Sequence, residues 1–378
     1  MRALVYLGPG FHSDSGPHPV ELRDHPRPEA SGRDDVVVRV VGTGICGTDR
    51  KILLGRFPAR PGVVLGHESV GVVEEVGADV TSVRPGDRVV VNPTLYCGSC
   101  PPCRRGATNH CRNKRGTEVG VDRDGTYAEH VVLPERFTER LPDALAFRRA
   151  VLVEPLACVL NNVLAADVGP GDTVAVLGAG PIGLLTALVA ARGARRVVIA
   201  ESDPYRLAVA GPLVDRTVDV GGPNPLEAVV KAGDGRRPDI VFDTTGVAVE
   251  QALQLVADGG RVVAMGFDDS YRPSISPLYL TNHGVSLIGA GDYRADTFPI
   301  AVDLIGDLPL DSLVTHEFPL DRYQDAFALL SAGADGTARG TGHDAGHGSG
   351  GTGYGAMKVV IRSDTAPAGP DGWPEVTG

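Results

Sequence analysis

Four of the six cysteines, Cys97, Cys100, Cys103 and Cys111, fall within fifteen residues in the pattern C-x2-C-x2-C-x7-C. Four thiolates close a tetrahedron around zinc and leave no coordination position for a substrate, so such a loop is a structural staple and not a reaction centre. An iron–sulfur cluster of the bacterial ferredoxin kind would close its run with x3 and not x7, which favours zinc. A reactive metal site needs three protein ligands and an open position, and Cys46, His67 and Glu154 supply the right donor types. Two zinc sites per chain are therefore expected, one structural and one catalytic. Cys158, one helical turn after Glu154, could compete as a ligand but reads more simply as core packing.

A chain of 378 residues is too long for one ordinary core and suits two domains. Its longest apolar stretches, 151–160 and 182–191, are interrupted and fall far short of the roughly 20 residues that cross a bilayer. Met1 to Tyr6 opens on a strand pattern without the apolar core of a secretory signal, and clustered cysteines then read as metal ligands in a reducing compartment. The cytoplasm is the expected location. A net charge of −11 argues against nucleic acid, which requires concentrated positive charge.

Up to about residue 150, short β-type runs (36–41, 63–65, 70–76, 88–92 and 128–133) alternate with Gly, Pro and Asp turns, as in an irregular β-rich domain. From about Asp172 buried strands (174–177, 197–200, 239–243, 262–265 and 285–288) alternate with helices (182–192, 204–210 and 249–257), the rhythm of a doubly wound parallel sheet. Two more helices, 298–305 and 323–330, and a last strand, 357–361, are expected to return to the first domain. Residues 333–355 form a Gly-rich insertion unable to bury a core, and 363–378 read as a disordered tail. His343 and His347 lie in that insertion at i, i+4 spacing, with no helix to align them as ligands.

Gly178-Ala179-Gly180-Pro181-Ile182-Gly183 follows the strand 174–177 and opens a helix, the context in which a GxGxxG motif cradles a dinucleotide pyrophosphate. The next strand ends at Glu201, eighteen residues after Gly183, where a carboxylate would accept from a ribose 2′-hydroxyl and repel a 2′-phosphate. NAD is favoured over NADP, although Arg206 nearby keeps NADP open.

The GHE-x2-G-x5-G run from Gly66 to Gly77, the four-cysteine lobe, Glu154-Pro155-Leu156 and the Gly178 cradle occur together in one order. In this the chain resembles the zinc-containing medium-chain dehydrogenases, in particular their polyol branch of sorbitol, threonine and glucose dehydrogenases. The resemblance implies a GroES-like β-rich catalytic domain (1–155 and 295–378) and a Rossmann NAD-binding domain (156–294). It also implies an active site in the cleft between them, and homodimers or homotetramers. Carried over by position, Cys46, His67 and Glu154 hold the catalytic zinc, Glu68 is a nearby carboxylate that can enter or leave the metal shell, and Asp49 orients His67. Thr48 takes the substrate proton, and Lys51 stands where many relatives place the histidine that relays it to solvent. The cofactor contacts are Gly178, Gly180, Pro181, Ile182, Gly183, Glu201 and Arg206.

The implied reaction moves hydride from a secondary alcohol of a polyol, sugar or cyclitol to the nicotinamide, leaving a ketone. A metal Lewis acid eases loss of the hydroxyl proton, and the cofactor takes the hydride. Where sorbitol-type relatives carry Arg-Tyr this chain reads Gly291-Asp292-Tyr293. That departure puts Asp292 and Tyr293, with Glu118, among the candidate substrate contacts and adds amine-bearing substrates. The segment 153–161 also resembles that of the 2-deoxy-scyllo-inosamine dehydrogenases. A glucose or threonine dehydrogenase is the rival enzyme, and a zinc-ribbon binding module the rival outside enzymes.

Overall fold

The computed structural model describes residues 1–10, 19–331, 355–363 and 373. The strands run in chain order as β1 (Arg2–Tyr6), β2 (Val20–Asp24), β3 (Asp35–Gly44), β4 (Glu68–Val76), β5 (Arg88–Val91), β6 (His130–Pro134), β7 (Thr138–Arg140) and β8 (Thr173–Leu177). They continue as β9 (Arg196–Glu201), β10 (Thr217–Asp219), β11 (Ile240–Asp243), β12 (Arg261–Ala264), β13 (Ser286–Ile288), β14 (Val314–Pro319) and β15 (Lys358–Arg362). The chain divides into two compact units. Met1–Ala157, Tyr293–Ala328 and the segment from Lys358 make the first, and Cys158–Asp292 falls in the second.

The first unit is built on a seven-stranded sheet in the order β14-β15-β3-β4-β5-β7, with β6 paired to β3. Valines at alternate positions of β3 (Val36, Val38 and Val40) turn inward with Val73, Val89, Val131 and Phe137, giving the period-2 core of a half-buried antiparallel sheet. The register matters more than the core. Gly44, the last residue of β3, lies opposite Glu68 at the head of β4 and opposite Val360 of β15. Three strand ends therefore converge where Cys46, His67 and Lys358 stand.

The second unit is a six-stranded parallel sheet in the order β10-β9-β8-β11-β12-β13. Counted along the chain, that is third, second, first, fourth, fifth, sixth, the doubly wound arrangement of dinucleotide-binding sheets. Its strands read as continuous apolar runs because both faces are covered, with Ala175, Val198, Val241 and Val262 packed beneath Ala252, Leu253 and Leu255 of the helix Val249–Leu255.

The short segment 63–65, expected as a strand, makes one isolated bridge from Val64 to Val5 instead. The helix Gly47–Leu53 and the strands β2, β7, β10 and β14 are additions to the sequence reading. Of the expected disordered tail, Ser363 and Trp373 are described, and both are buried, at 3% and 1% exposure. The expectation fails at those two residues for a packing reason. The Trp373 ring lies over Gly42, where a Cβ would come within 2.7 Å, near Phe147, and its Nε1–H donates to Glu317 Oε1 at 3.1 Å. The Gly-rich insertion before Gly355, with His343 and His347, lies outside the described residues. Among the described residues no helix is long and apolar enough to cross a membrane.

Candidate active site

Cys46 leaves the end of β3 and becomes the N-cap of the helix Gly47–Leu53. Asp49, three residues on, returns its carboxylate to the cap and accepts from Cys46 N–H at 2.9 Å, which fixes the cysteine's backbone. His67 sits immediately before β4, after Gly66 at φ +92°, a left-handed conformation that disfavours any side chain, and a Cβ there would meet the Tyr127 ring at 2.8 Å. Ligand atoms of Cys46, His67 and Glu68 lie within 4.8 Å of one another. Glu154, in the first turn of the helix Val153–Ala165, is buried and feels the charges of His67, Glu68 and Lys358. The sequence reading makes Glu154 the third ligand and Glu68 its neighbour, and both carboxylates stand at the cluster, with Glu68 grouped closely with Cys46 and His67. Glu68 follows His67 directly and heads β4, and the ligand atoms of both reach the cluster.

The charges explain what the cluster can hold. Cys46, Asp49, Glu68 and Glu154 face two cations, His67 and Lys358. Burial pushes Asp49 up, and burial, together with Glu68 and Glu118, raises Glu154 to about 7 against the pull of His67 and Lys358. Burial works to lower His67, but Asp49, Cys46 and Glu154 together lift it well above its ordinary value. A divalent cation would supply the missing positive charge, so the donor set fits zinc. Lys358 Nζ lies 2.5 Å from Glu68 Oε2 and donates to Ile45 O at 3.1 Å. The sequence reading misses this lysine, whose one signal is a charge heading the apolar run 359–361.

Asp49 Oδ2 also accepts from the Tyr127 hydroxyl at 2.9 Å, and its Oδ1 lies 3.8 Å from His67 Nδ1. Burial foremost, with the Asp49 charge, holds the Tyr127 hydroxyl well above its ordinary pKa, so it remains a donor. Thr48 and Lys51 share the helix with Asp49, and both are half-buried. Glu118 accepts from Thr94 Oγ1 at 3.2 Å and lies 3.5 Å from Lys114 Nζ. Tyr293 is 1% exposed and donates to Asn92 Oδ1 at 3.2 Å. Asp292 is on an exposed turn whose carbonyl accepts from Asn161 Nδ2 at 3.0 Å.

The four cysteines of the lobe are free thiols whose sulfurs crowd together, Cys100 lying 3.4 Å from Cys103 and 3.9 Å from Cys111. Backbone N–H groups of Cys97, Cys100 and Asn113 point at the sulfurs. The Ser99 hydroxyl and nearby amides hold Cys97 down to about 5, while burial pushes Cys103 up to about 12. Four such groups cannot all ionise side by side without a cation, and the set fits a closed zinc site.

In the second unit the glycine turn connects β8 to the helix Pro181–Ala190, with Gly178 at φ +98° and proline at the first helical position. A Cβ on Gly183 would stand 1.9 Å from Gly178 O, so helix and turn pack as only glycine allows. Glu201, at the end of β9, accepts from Ala179 N–H of the turn at 2.9 Å and lies 3.6 Å from Arg206 Nη1. Pro181, Ile182 and Gly180 line the same turn, each partly exposed. The loop fits a pyrophosphate at a helix N-terminus, with an acid at the ribose end.

Comparison with known proteins agrees. Residues 32–143 match the alcohol dehydrogenase GroES-like domain, and residues 181–307 match the zinc-binding dehydrogenase domain. The chain is 34% identical to D-xylulose reductase A of Aspergillus oryzae, over 84% of this chain and 92% of that one. The chain belongs to the zinc-binding alcohol dehydrogenase family. It is also 33% identical to the L-threonine 3-dehydrogenase of Pyrococcus horikoshii, over 89% of this chain and 97% of that one. The alcohol dehydrogenase of Thermus sp. ATN1 superposes with a TM-score of 0.81 at 28% identity, covering 96% of this chain and 100% of that one. This zinc-binding dehydrogenase thus pairs a GroES-like domain with a Rossmann domain and is an oxidoreductase acting on alcohols with a nicotinamide cofactor.

Proposed function

We propose that this dehydrogenase oxidises a secondary alcohol of a polyol, sugar or cyclitol to a ketone with NAD. The observation that carries the reading is the donor set: one thiolate, one imidazole and a carboxylate from Glu68 or Glu154, with Lys358 held against Glu68. A carboxylate in place of a second thiolate leaves the metal harder and suits polyols that present neighbouring hydroxyls. Zinc, when bound, supplies Lewis acidity at the substrate oxygen. The chain's own groups do the rest. Cys46, His67 and Glu154 or Glu68 hold the metal, Asp49 orients His67, Thr48 accepts the substrate proton, and Lys51 passes it toward solvent. Glu118, Asp292 and Tyr293 are assigned to the substrate's polar groups. Residues 1–155 and 295–378 make the catalytic domain, and 156–294 the NAD domain.

NAD is favoured because Glu201 ends β9 beside the glycine turn, where a carboxylate suits a ribose 2′-hydroxyl and repels a 2′-phosphate. A homodimer or homotetramer is supported by β13, which among the described residues is an edge strand paired to β12 alone, with Ser286 and Leu287 exposed. Six unbridged cysteines suit the cytoplasm. The similarity to a threonine dehydrogenase favours threonine oxidation as the second reading. Steady-state rates on xylitol, sorbitol, amine-bearing cyclitols, glucose and L-threonine, each with NAD and NADP, test both. A preference for polyols or cyclitols with NAD is expected; selective turnover of threonine installs the second reading, and turnover of none rejects both.

A further inference from the structure

Tyr127 is remote in sequence from every candidate ligand, yet it closes a buried chain of three groups. Its ring is fully buried, and packs edge-on against Phe327 at 6.1 Å. Its hydroxyl hydrogen goes to Asp49 Oδ2 at 2.9 Å, with Gly44 O farther off at 3.3 Å. Asp49 is itself fully buried, and with Cys46 N–H on the same oxygen its Oδ2 has two donors. That leaves Oδ1 as the oxygen turned to the imidazole, at an ion-pair distance of 3.8 Å from His67 Nδ1, and neither of those two buried atoms has a hydrogen-bond partner. With two donors on Oδ2 the carboxylate is held in one orientation, so Oδ1 faces Nδ1 of His67, the arrangement that favours a proton on Nδ1 and leaves Nε2 for a metal.

We infer that Tyr127 is a positioning residue for the catalytic metal: its hydroxyl fixes the Asp49 rotamer, and through it the tautomer and direction of His67. The inference rests on the reading that Cys46 and His67 hold a metal. It concerns the apparatus behind the imidazole and not the substrate.

The test uses the full-length chain loaded with cobalt or zinc, with the four-cysteine site as an internal standard. Tyr127→Phe keeps the ring and its packing and removes one oxygen. The dissociation constant of the more weakly held metal, read by chelator competition, is expected to rise about tenfold in Y127F. The visible cobalt spectrum of that site should shift while the four-cysteine site is unchanged. In an Asp49→Asn background the same hydroxyl loss should add little, because the group it acts through has already lost its charge. Wild-type affinity and spectrum in Y127F would overturn the inference. So would equal weakening of both metal sites, which marks general loosening, or full additivity with Asp49→Asn. A wild-type chain that binds one metal only sinks the proposed function first, and the positioning role with it.

Discussion

Lys358 and Glu68 form an ion pair with side-chain exposures of 5% and 2% beside a cluster of further acids. Removing one partner of a buried pair leaves a charge without compensation, a loss of about 3 kcal/mol or more. Lys358→Met should therefore lower the urea midpoint, and adding Glu68→Gln should restore part of it. Unchanged stability in Lys358→Met would mean that the metal alone neutralises Glu68. Cys46→Ser is expected to reduce bound zinc from two per chain to one, measured by elemental analysis, with turnover lost and the fold retained. Much of this site was legible in the sequence, because Cys46, His67, Glu68 and Asp49 lie within reach of glycines whose spacing marks the strand and turn that carry them. Lys358 and Tyr127 were not, since nothing local says that a lysine 290 positions from Glu68 will meet it across a sheet.

At the scale of elements, the parallel strands β8, β9, β11 and β12 were readable as unbroken apolar runs. The three-residue strands β7 and β10 carry too few alternating positions to announce themselves. The helix Gly47–Leu53 was hidden because Asp49 caps it from within the ligand motif. Gly183→Ala tests the fit of cradle to helix. With a Cβ directed at Gly178 O, the affinity for NAD measured by fluorescence titration should fall more than tenfold, while zinc content stays at the wild-type value. On β7, burial and then Asp303 of the helix Thr297–Ile305 push the Glu139 carboxyl above its ordinary value of 4.5. The folded chain thus holds that proton more readily than the unfolded chain. The group's contribution is fully favourable below pH 4.5 and is lost as pH rises through its elevated value. Glu139→Gln should raise Tm by roughly 1–2 °C at pH 8 and leave it unchanged at pH 4, as read by calorimetry.

Across the whole molecule, the two expected metals have different tasks, and stripping them should separate in time. The Cys46 site, as the proposed catalytic site, would keep a position open for substrate and should yield to a chelator first, with activity lost and circular dichroism intact. The closed lobe should follow more slowly, with loss of β-rich structure. Simultaneous loss of both signals would show that the two sites are one cooperative unit. The sequence holds a single tryptophan, and it is Trp373, lying over Gly42 four residues before Cys46 and bonded to Glu317. All indole emission therefore originates at one address over β3, so the wavelength of emitted light reports, without any added dye, whether Trp373 still rests on the strand that leads into the metal cluster.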